Sequence, residues 1–242
     1  MYTRALCLSG FIIIILIING CSSGREVKNE NEGKNISVKK ILNIAAEERK
    51  YIKENNIKEI EKVSFILDEN GNPVKGEKLS TISYNPNGFM TETDIYNSKG
   101  QVEYVYKYDY KNNLRVKTTR YTQDGKADKY YAYDYNKFKN KTKSTRYNLS
   151  QDMDKYYTYE YDDSGNLIKE NWYDKSGKEE YSVEYGYNDN GQKTTAKSYN
   201  EENNLIYKFQ FKYDNSGNIL EEEKYDSDGD KTGIIQYIYR YY

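Results

Sequence analysis

Seven tyrosines, Tyr84, Tyr110, Tyr135, Tyr161, Tyr187, Tyr213 and Tyr239, follow one another at steps of 26, 25, 26, 26, 26 and 26 residues. A second series, Tyr96, Tyr121, Tyr147, Tyr173, Tyr199 and Tyr225, runs beside it at steps of 25, 26, 26, 26 and 26. One residue missing from the loop after Tyr110 accounts for both short steps, so the chain carries an internal repeat and each unit must take the same local structure. Each series tyrosine opens a turn. Gly88, Gly165, Gly191 and Gly217 stand at the fifth place of the first turn, and Gly100, Gly125, Gly177 and Gly229 at that of the second. Asn203 and Gln151 replace the second glycine in two units, and the position calls for a left-handed backbone. Asp, Asn and Ser ahead of it supply the side-chain hydrogen bonds that such turns use.

Runs of seven to nine residues separate the turns, which is strand length. In the second strand of each unit the aromatics alternate, as in Tyr104, Tyr106, Tyr108 and Tyr110 or Tyr207, Phe209, Phe211 and Tyr213, which places their rings on one face. Short turns make neighbours antiparallel. The expected fold is all-β: an antiparallel meander of tandem 26-residue hairpins, about twelve strands over residues 84–242, forming an extended, twisted or curled sheet. Flat, such a sheet would be about 55 Å long. Cross-strand ring pairs stabilise it while the hydroxyls face water.

The turn-strand unit, clearest at Tyr161-Asp162-Asp163-Ser164-Gly165-Asn166-Leu167 and Tyr213-Asp214-Asn215-Ser216-Gly217-Asn218-Ile219, resembles the tyrosine-aspartate repeats of bacterial RHS/YD proteins. That resemblance implies strands wound into a long curled sheet. The unit here is longer than the usual one, the body is too short for a closed cocoon, and no toxin domain follows. A single-layer sheet like that of some bacterial outer-surface lipoproteins matches the geometry equally well.

Ahead of the repeats, positions 1–20 read as a signal peptide: Arg4 gives the positive start and Leu6 to Ile18 the apolar run. That run is too short for a spanning helix. Ile18-Asn19-Gly20-Cys21 followed by Ser22 resembles the lipobox of bacterial lipoproteins, which implies that Cys21 becomes the lipidated first residue. Ser22 rather than Asp resembles lipoproteins forwarded to an outer membrane. Cys7 leaves with the signal, so the mature chain has no disulfide and no thiolate metal site. Positions 21–36 are polar and read as a flexible tether. Positions 37–62 read as a short amphipathic helix or cap, with Val38, Ile41, Leu42, Ala45 and Ile52 at helical spacing, Ser37 as N-cap and Asn55-Asn56 as stop. The repeat domain is expected over 63–242, opening on a strand with Val63, Phe65 and Leu67 on one face.

Composition narrows the function. The chain holds no His, which removes the commonest general base and nitrogen ligand. Its net charge of −1 gives no global field toward nucleic acid, and sequence-specific nucleic-acid binding is not expected. Charge is nonetheless segregated: Lys111 to Arg146 has 11 basic and 3 acidic residues, while Glu160 to Asp230 has 8 basic and 18 acidic. Lys137, Lys139, Lys141 and Lys143 alternate and are read as one cationic strand face, with Arg115 and Lys117 one repeat earlier in register with Lys141 and Lys143. Such a face with tyrosines nearby suits an anionic glycan, a polyanion or a protein; the plainer reading is a solubilising face. Asp226, Asp228 and Asp230 take the first, third and fifth places of a calcium loop, but Tyr237 stands where the bidentate ligand belongs. No pair of carboxylates is singled out for catalysis, and no cofactor or metal is expected. The reading is a non-enzymatic, membrane-anchored envelope lipoprotein that binds through an extended Tyr/Lys face, with a structural scaffold of no specific ligand as the alternative.

Overall fold

The computed structural model describes residues 43–242. The signal, Cys21, the tether and positions 37–42 of the expected helix, with Ser37, lie outside the described residues. The helix, α1, runs Ile44–Glu54 with Asn43 as N-cap, its side chain accepting from the Ala46 amide at 3.0 Å. It stops at Asn55, and Asn56 takes a left-handed φ of 52°. The chain enters β1 (Ile57–Leu67) at once, six residues earlier than the sequence suggested. Ile57 and Ile60, read as part of a cap, are in fact wholly buried strand residues.

After β1 comes β2 (Pro73–Tyr84). The repeats then supply β3 (Met90–Tyr96), β4 (Val102–Lys111), β5 (Leu114–Thr122), β6 (Ala127–Tyr135), β7 (Lys141–Asn148) and β8 (Met153–Tyr161). They continue with β9 (Leu167–Asp174), β10 (Glu179–Tyr187), β11 (Lys193–Asn200), β12 (Leu205–Tyr213), β13 (Ile219–Asp226) and β14 (Lys231–Tyr241). Every strand pairs antiparallel with its sequence neighbours, as a meander should. The sheet is not extended, however. β1 pairs with both β2 and β14, and the fourteen strands form a closed barrel.

The cause of closure is written into the repeat. From the β2–β3 pair to the β13–β14 pair, each strand pairing slips by one residue, and the slip abuts a series tyrosine. Examples are Asp134/Tyr135, Glu160/Tyr161 and Lys212/Tyr213 in one series and Arg120/Tyr121, Arg146/Tyr147 and Lys224/Tyr225 in the other. A bulge bends its strand and adds right-handed twist. Repeated around a sheet at constant height, it curls the sheet until the edges meet. Closure also removes the two exposed edges that an open meander would present.

The aromatic face points inward, and in five units its hydroxyls are satisfied by protein rather than by water, whereas the Tyr84 hydroxyl is buried with no hydrogen-bond partner among the described residues. Tyr135, Tyr161, Tyr187, Tyr213 and Tyr239 donate to the carbonyls of Arg115, Lys141, Leu167, Lys193 and Ile219 at 2.6–2.9 Å. Those carbonyls lie just past the end of the ladder, where the bulge has splayed the strands, for example beyond Lys143↔Thr158. A hydroxyl on a rigid ring therefore replaces a missing backbone donor, which phenylalanine could not do. Two residues earlier, Tyr108, Tyr133, Tyr159, Tyr185 and Tyr237 meet Thr93, Thr118, Ser144, Glu170 and Glu222. In the one remaining unit both partners change together, to Phe211 and Ala196.

That pairing makes a prediction. Phe211→Tyr should destabilise the barrel by about 1–3 kcal/mol, because it buries a hydroxyl against a methyl group. Adding Ala196→Ser, which copies the Tyr159–Ser144 pair, should restore most of the loss. Urea unfolding of the two single variants and the double variant measures the coupling, and additive effects would show that the paired change is incidental.

Outside, the wall is charged. Cross-strand neighbours at one height are Asp109↔Lys117, Asp134↔Lys143, Glu160↔Lys169 and Lys212↔Glu221. Stacked tyrosine pairs also lie on this wall, with Tyr130–Tyr147 centroids at 5.0 Å and Tyr156–Tyr173 at 4.7 Å.

The helix lies across one mouth of the barrel. Asn43 donates to the Phe138 carbonyl at 3.4 Å, and the Ile44 amide to Asn140 Oδ1 at 3.2 Å. Arg49 sits over the Phe89 ring at 4.9 Å, and Tyr51 donates to Asn218 Oδ1. These partners come from the β6–β7, β2–β3 and β12–β13 turns, so α1 bridges separated points of the rim.

Candidate functional site

Beneath α1, the first inward residue of each odd strand from β3 to β13 occupies the same place in the repeat. Around the barrel these residues are Met90, Arg115, Lys141, Leu167, Lys193 and Ile219. Met90, Leu167 and Ile219 are buried, as a core position should be. The other three are cations turned into the lumen. Arg115 lies 4.3 Å over the Tyr108 ring, Lys141 3.9 Å over Tyr159 and Lys193 4.2 Å over Tyr185. Aromatic faces attract the cations. Among the described residues none of the three forms an ion pair; Arg115 Nη2 instead contacts Met90 Sδ at 2.9 Å and the Tyr110 hydroxyl at 3.4 Å.

Burial pulls Lys141 and Lys193 down to about 8. A lysine depressed in the folded state binds fewer protons than the unfolded chain, so each opposes folding at neutral pH and does so less as pH rises toward the unfolded value. The barrel has no structural need of them, since three repeats fill the same position with apolar side chains.

Three carboxylates share this interior. Glu48 reaches in from α1; burial raises it to about 7 against the fields of Arg115, Arg49, Lys141 and Lys193. Its Oε1 is buried and has no hydrogen-bond partner among the described residues. Glu170, raised by burial and opposed mainly by Lys141, accepts from Trp172 Nε1 at 2.8 Å and from Tyr185 at 3.5 Å. Glu222 lies 3.6 Å from Lys62 and accepts from Tyr237.

The lumen is unevenly filled. On the β10–β14 side Val183, Ala196, Ser198 and Glu222 retain no accessible surface. On the β5–β9 side Arg115, Tyr133, Lys141, Tyr159 and Glu170 lie deep within the barrel yet are only half-buried, so they border water-sized space.

The expected cationic face is therefore divided. Lys137 and Lys139 belong to the turn that carries the helix N-terminus, with Lys139 at φ 66° in the place that glycine holds in other units. Arg115 and Lys141 point inward. Lys117 and Lys143 point outward, over the Tyr130 and Tyr156 rings at 5.1 and 4.6 Å. The bulge inserts Thr142 between Lys141, opposite Tyr135, and Lys143, opposite Asp134, and so reverses the alternation on which the expectation rested. At the second turn of the last unit, Asp226 accepts from the Asp228 and Asp230 amides at 3.1 and 2.9 Å, as the other turn aspartates do with their own turns. Lys193, Glu48, Glu170, Glu222 and Lys62 were not singled out in the sequence. Reading the repeat by columns shows cations and apolar residues sharing one inward place.

No family model matches this chain, and no curated protein matches it. Among solved structures, a porin-like protein from Bacteroides uniformis is 13% identical, with 76% of this chain and 98% of that chain covered and a TM-score of 0.45. One from Bacteroides vulgatus is 14% identical over 76% and 98%, with a TM-score of 0.35. A chain of the Photorhabdus luminescens Tc holotoxin pore is 13% identical over 72% of this chain and 11% of its own, with a TM-score of 0.32. At these identities and scores the likenesses add nothing to the fold read from strand pairing.

Proposed function

We propose that this protein is a lipid-anchored component of the bacterial envelope whose barrel stands in water and acts by binding, without catalysis. The observation that carries the reading is the outer wall. A barrel that spans a bilayer turns an apolar band outward between aromatic girdles. Here Lys107, Asp109, Lys117, Asp134, Lys143, Glu160, Lys169 and Glu184 occupy outward strand positions, paired across strands in opposite sign. A charge at mid-depth on a lipid face destabilises by about 2–4 kcal/mol each for Lys. The signal-like start and the lipobox resemblance at Cys21 supply the membrane attachment instead, and several acyl chains are enough for a stable anchor. The turn-strand resemblance to RHS/YD repeats extends to the local hairpin unit.

The test replaces residues 1–21 with a cleavable secretory signal lacking the cysteine. The expected product is released from membranes and monodisperse without detergent. Product that resists alkaline extraction from membranes, or aggregates until detergent is added, would overturn the reading.

A further inference from the structure

We propose that the rim of the barrel between β4 and β7, at the mouth that α1 crosses, docks on the anionic surface of the membrane that holds the lipid anchor. The inference rests on the anchored reading above and adds which part of the barrel meets the bilayer. Three observations coincide on this arc. The first is where the chain leaves. Asn43 donates to the Phe138 carbonyl at 3.4 Å and the Ile44 amide to Asn140 Oδ1 at 3.2 Å, so the segment leading back to Cys21 departs from the β6–β7 turn. Residues 22–42 can reach at most about 70 Å, and Lys39-Lys40 stand just ahead of Asn43 in the sequence. The second is charge. Lys111 at the end of β4 and Lys137 and Lys139 in the β6–β7 turn are exposed, with no acidic residue in either turn. None of the three forms an ion pair among the described residues. The next arc of the rim has the opposite sign, with Asp162, Asp163, Asp189 and Asp214 on the β8–β9, β10–β11 and β12–β13 turns. The charges of α1 cancel, Arg49, Lys50 and Lys53 against Glu47, Glu48 and Glu54.

The third is an uncharged band beside the turns. Val116 is 42% exposed, and the same place in the repeat holds Thr91, Thr142, Ile168, Thr194 and Leu220, never a charge. Phe138 is 39% exposed next to it, with the Lys137 ammonium 4.9 Å over its ring. The charged wall begins one residue further from the mouth, at Asp109↔Lys117 and Asp134↔Lys143. Exposed apolar residues at the opposite end, Ile66, Val74, Leu149, Met153 and Ile206, share no place in the repeat. A shallow apolar band under a row of lysines suits a surface that lies in the headgroup layer, with the strands themselves in water. Each lysine brought to an anionic surface favours binding about fivefold, so three give about a hundredfold. That is weak for a free protein, and the release expected on removing the anchor is unaffected. The anchor makes the contact intramolecular, at an effective concentration of about millimolar, and so holds the rim down. Repulsion of the aspartate arc tilts the barrel onto its β4–β7 side.

The experiment is spin labelling of the full chain, reconstituted through its own anchor into phosphatidylcholine vesicles with and without phosphatidylglycerol. With Cys7 removed in the signal and Cys21 lipidated, one added cysteine is the sole free thiol. Labels go on Val116→Cys in the docking arc, Asn190→Cys in the acidic arc and Ser150→Cys at the opposite mouth. With phosphatidylglycerol present, the label at 116 should collide about tenfold less often with a water-soluble nickel relaxant, while the other two stay open to it. Without phosphatidylglycerol, or at an ionic strength of about 1 M, where charges are screened beyond about 3 Å, it should stay open too. Lys111→Glu, Lys137→Glu and Lys139→Glu together should abolish the protection at unchanged Tm. Lys99→Glu, Lys126→Glu and Lys175→Glu, the same charge change at the opposite mouth, should not. A label at 116 that stays open to nickel beside phosphatidylglycerol would overturn the proposal, as would equal protection without that lipid or equal loss in the two triple variants. Protection that grows with protein density in the vesicle would assign the patch to a second copy of the chain and overturn it as well. Every reading is taken on protein that floats with the vesicles. Flotation reports the anchor, so lost docking with flotation intact leaves the anchored reading standing.

Discussion

Glu222→Ala should destabilise the barrel by about 3–5 kcal/mol, the range for removing one partner of a buried ion pair. Glu222 on β13 retains no accessible surface, Lys62 on β1 lies 3.6 Å away, and Tyr237 on β14 donates its hydroxyl to the same carboxylate. Lys62 also sits 4.6 Å over the Tyr237 ring. The three residues thus join the first strand to the last two, at the seam where a linear meander becomes a cylinder. Burial drives Lys62 and Glu222 each toward its neutral form; their mutual attraction opposes this, and the Lys193 ammonium adds to it at Glu222. Without the carboxylate the ammonium is left buried and uncompensated, and the Tyr237 hydroxyl loses its acceptor. Glu222→Gln keeps an acceptor for Tyr237 and should fall between wild type and Glu222→Ala. Glu222→Leu combined with Lys62→Met should recover most of the stability, because well-packed apolar side chains replace buried pairs at little loss. Urea unfolding of the four proteins measures the series. A loss below about 1 kcal/mol in Glu222→Ala would show that closure rests on the backbone ladder and the outer Arg240 pairs with Glu59 and Glu61.

The sequence disclosed the strands, their antiparallel order and the turn chemistry, because those are properties of one repeat. Gln151 and Asn203 do take left-handed φ values of 67° and 61°, in the place of the second glycine. Closure was not legible in the same way. It depends on bulges, each of which shifts the pairing by a single residue without altering the spacing of the tyrosines. The missed bulge also explains the misread cationic face, since strict alternation from Lys137 to Lys143 ignores both the turn and the inserted Thr142. The repeat itself held the correction: Lys139 stands four residues after Tyr135, as Gly165 does after Tyr161. The interior site was hidden for a different reason. Glu48 lies before the repeats, Lys62 on the first strand and Glu222 near the end, and only the closing of the ring brings such distant positions to one lumen.

Gly88→Ala should unseat α1 from the mouth while leaving the barrel folded. Gly88 has φ +80°, and a Cβ there would stand 2.2 Å from the Arg49 carbonyl oxygen, with the Arg49 carbon and Cα at 3.0 and 3.1 Å. Backbone cannot turn aside as a flexible side chain can, so the helix must move. Gly125→Ala is the matched control, with φ +76° and nothing within 4 Å of the new Cβ. Both variants carry the left-handed penalty of about 1–2 kcal/mol, so the difference between them reports the helix contact alone. That difference should reach about 1–3 kcal/mol, the range for a clash in a packed interior. It should also have a location. Amides of residues 46–54 should exchange with solvent much faster in Gly88→Ala, while the strand amides of β5 to β13 keep their protection. Equal losses in the two variants, with helix protection intact, would mean that the turn yields rather than the helix. If the helix does leave, Glu48 goes with it, and Arg115, Lys141 and Lys193 face an open mouth.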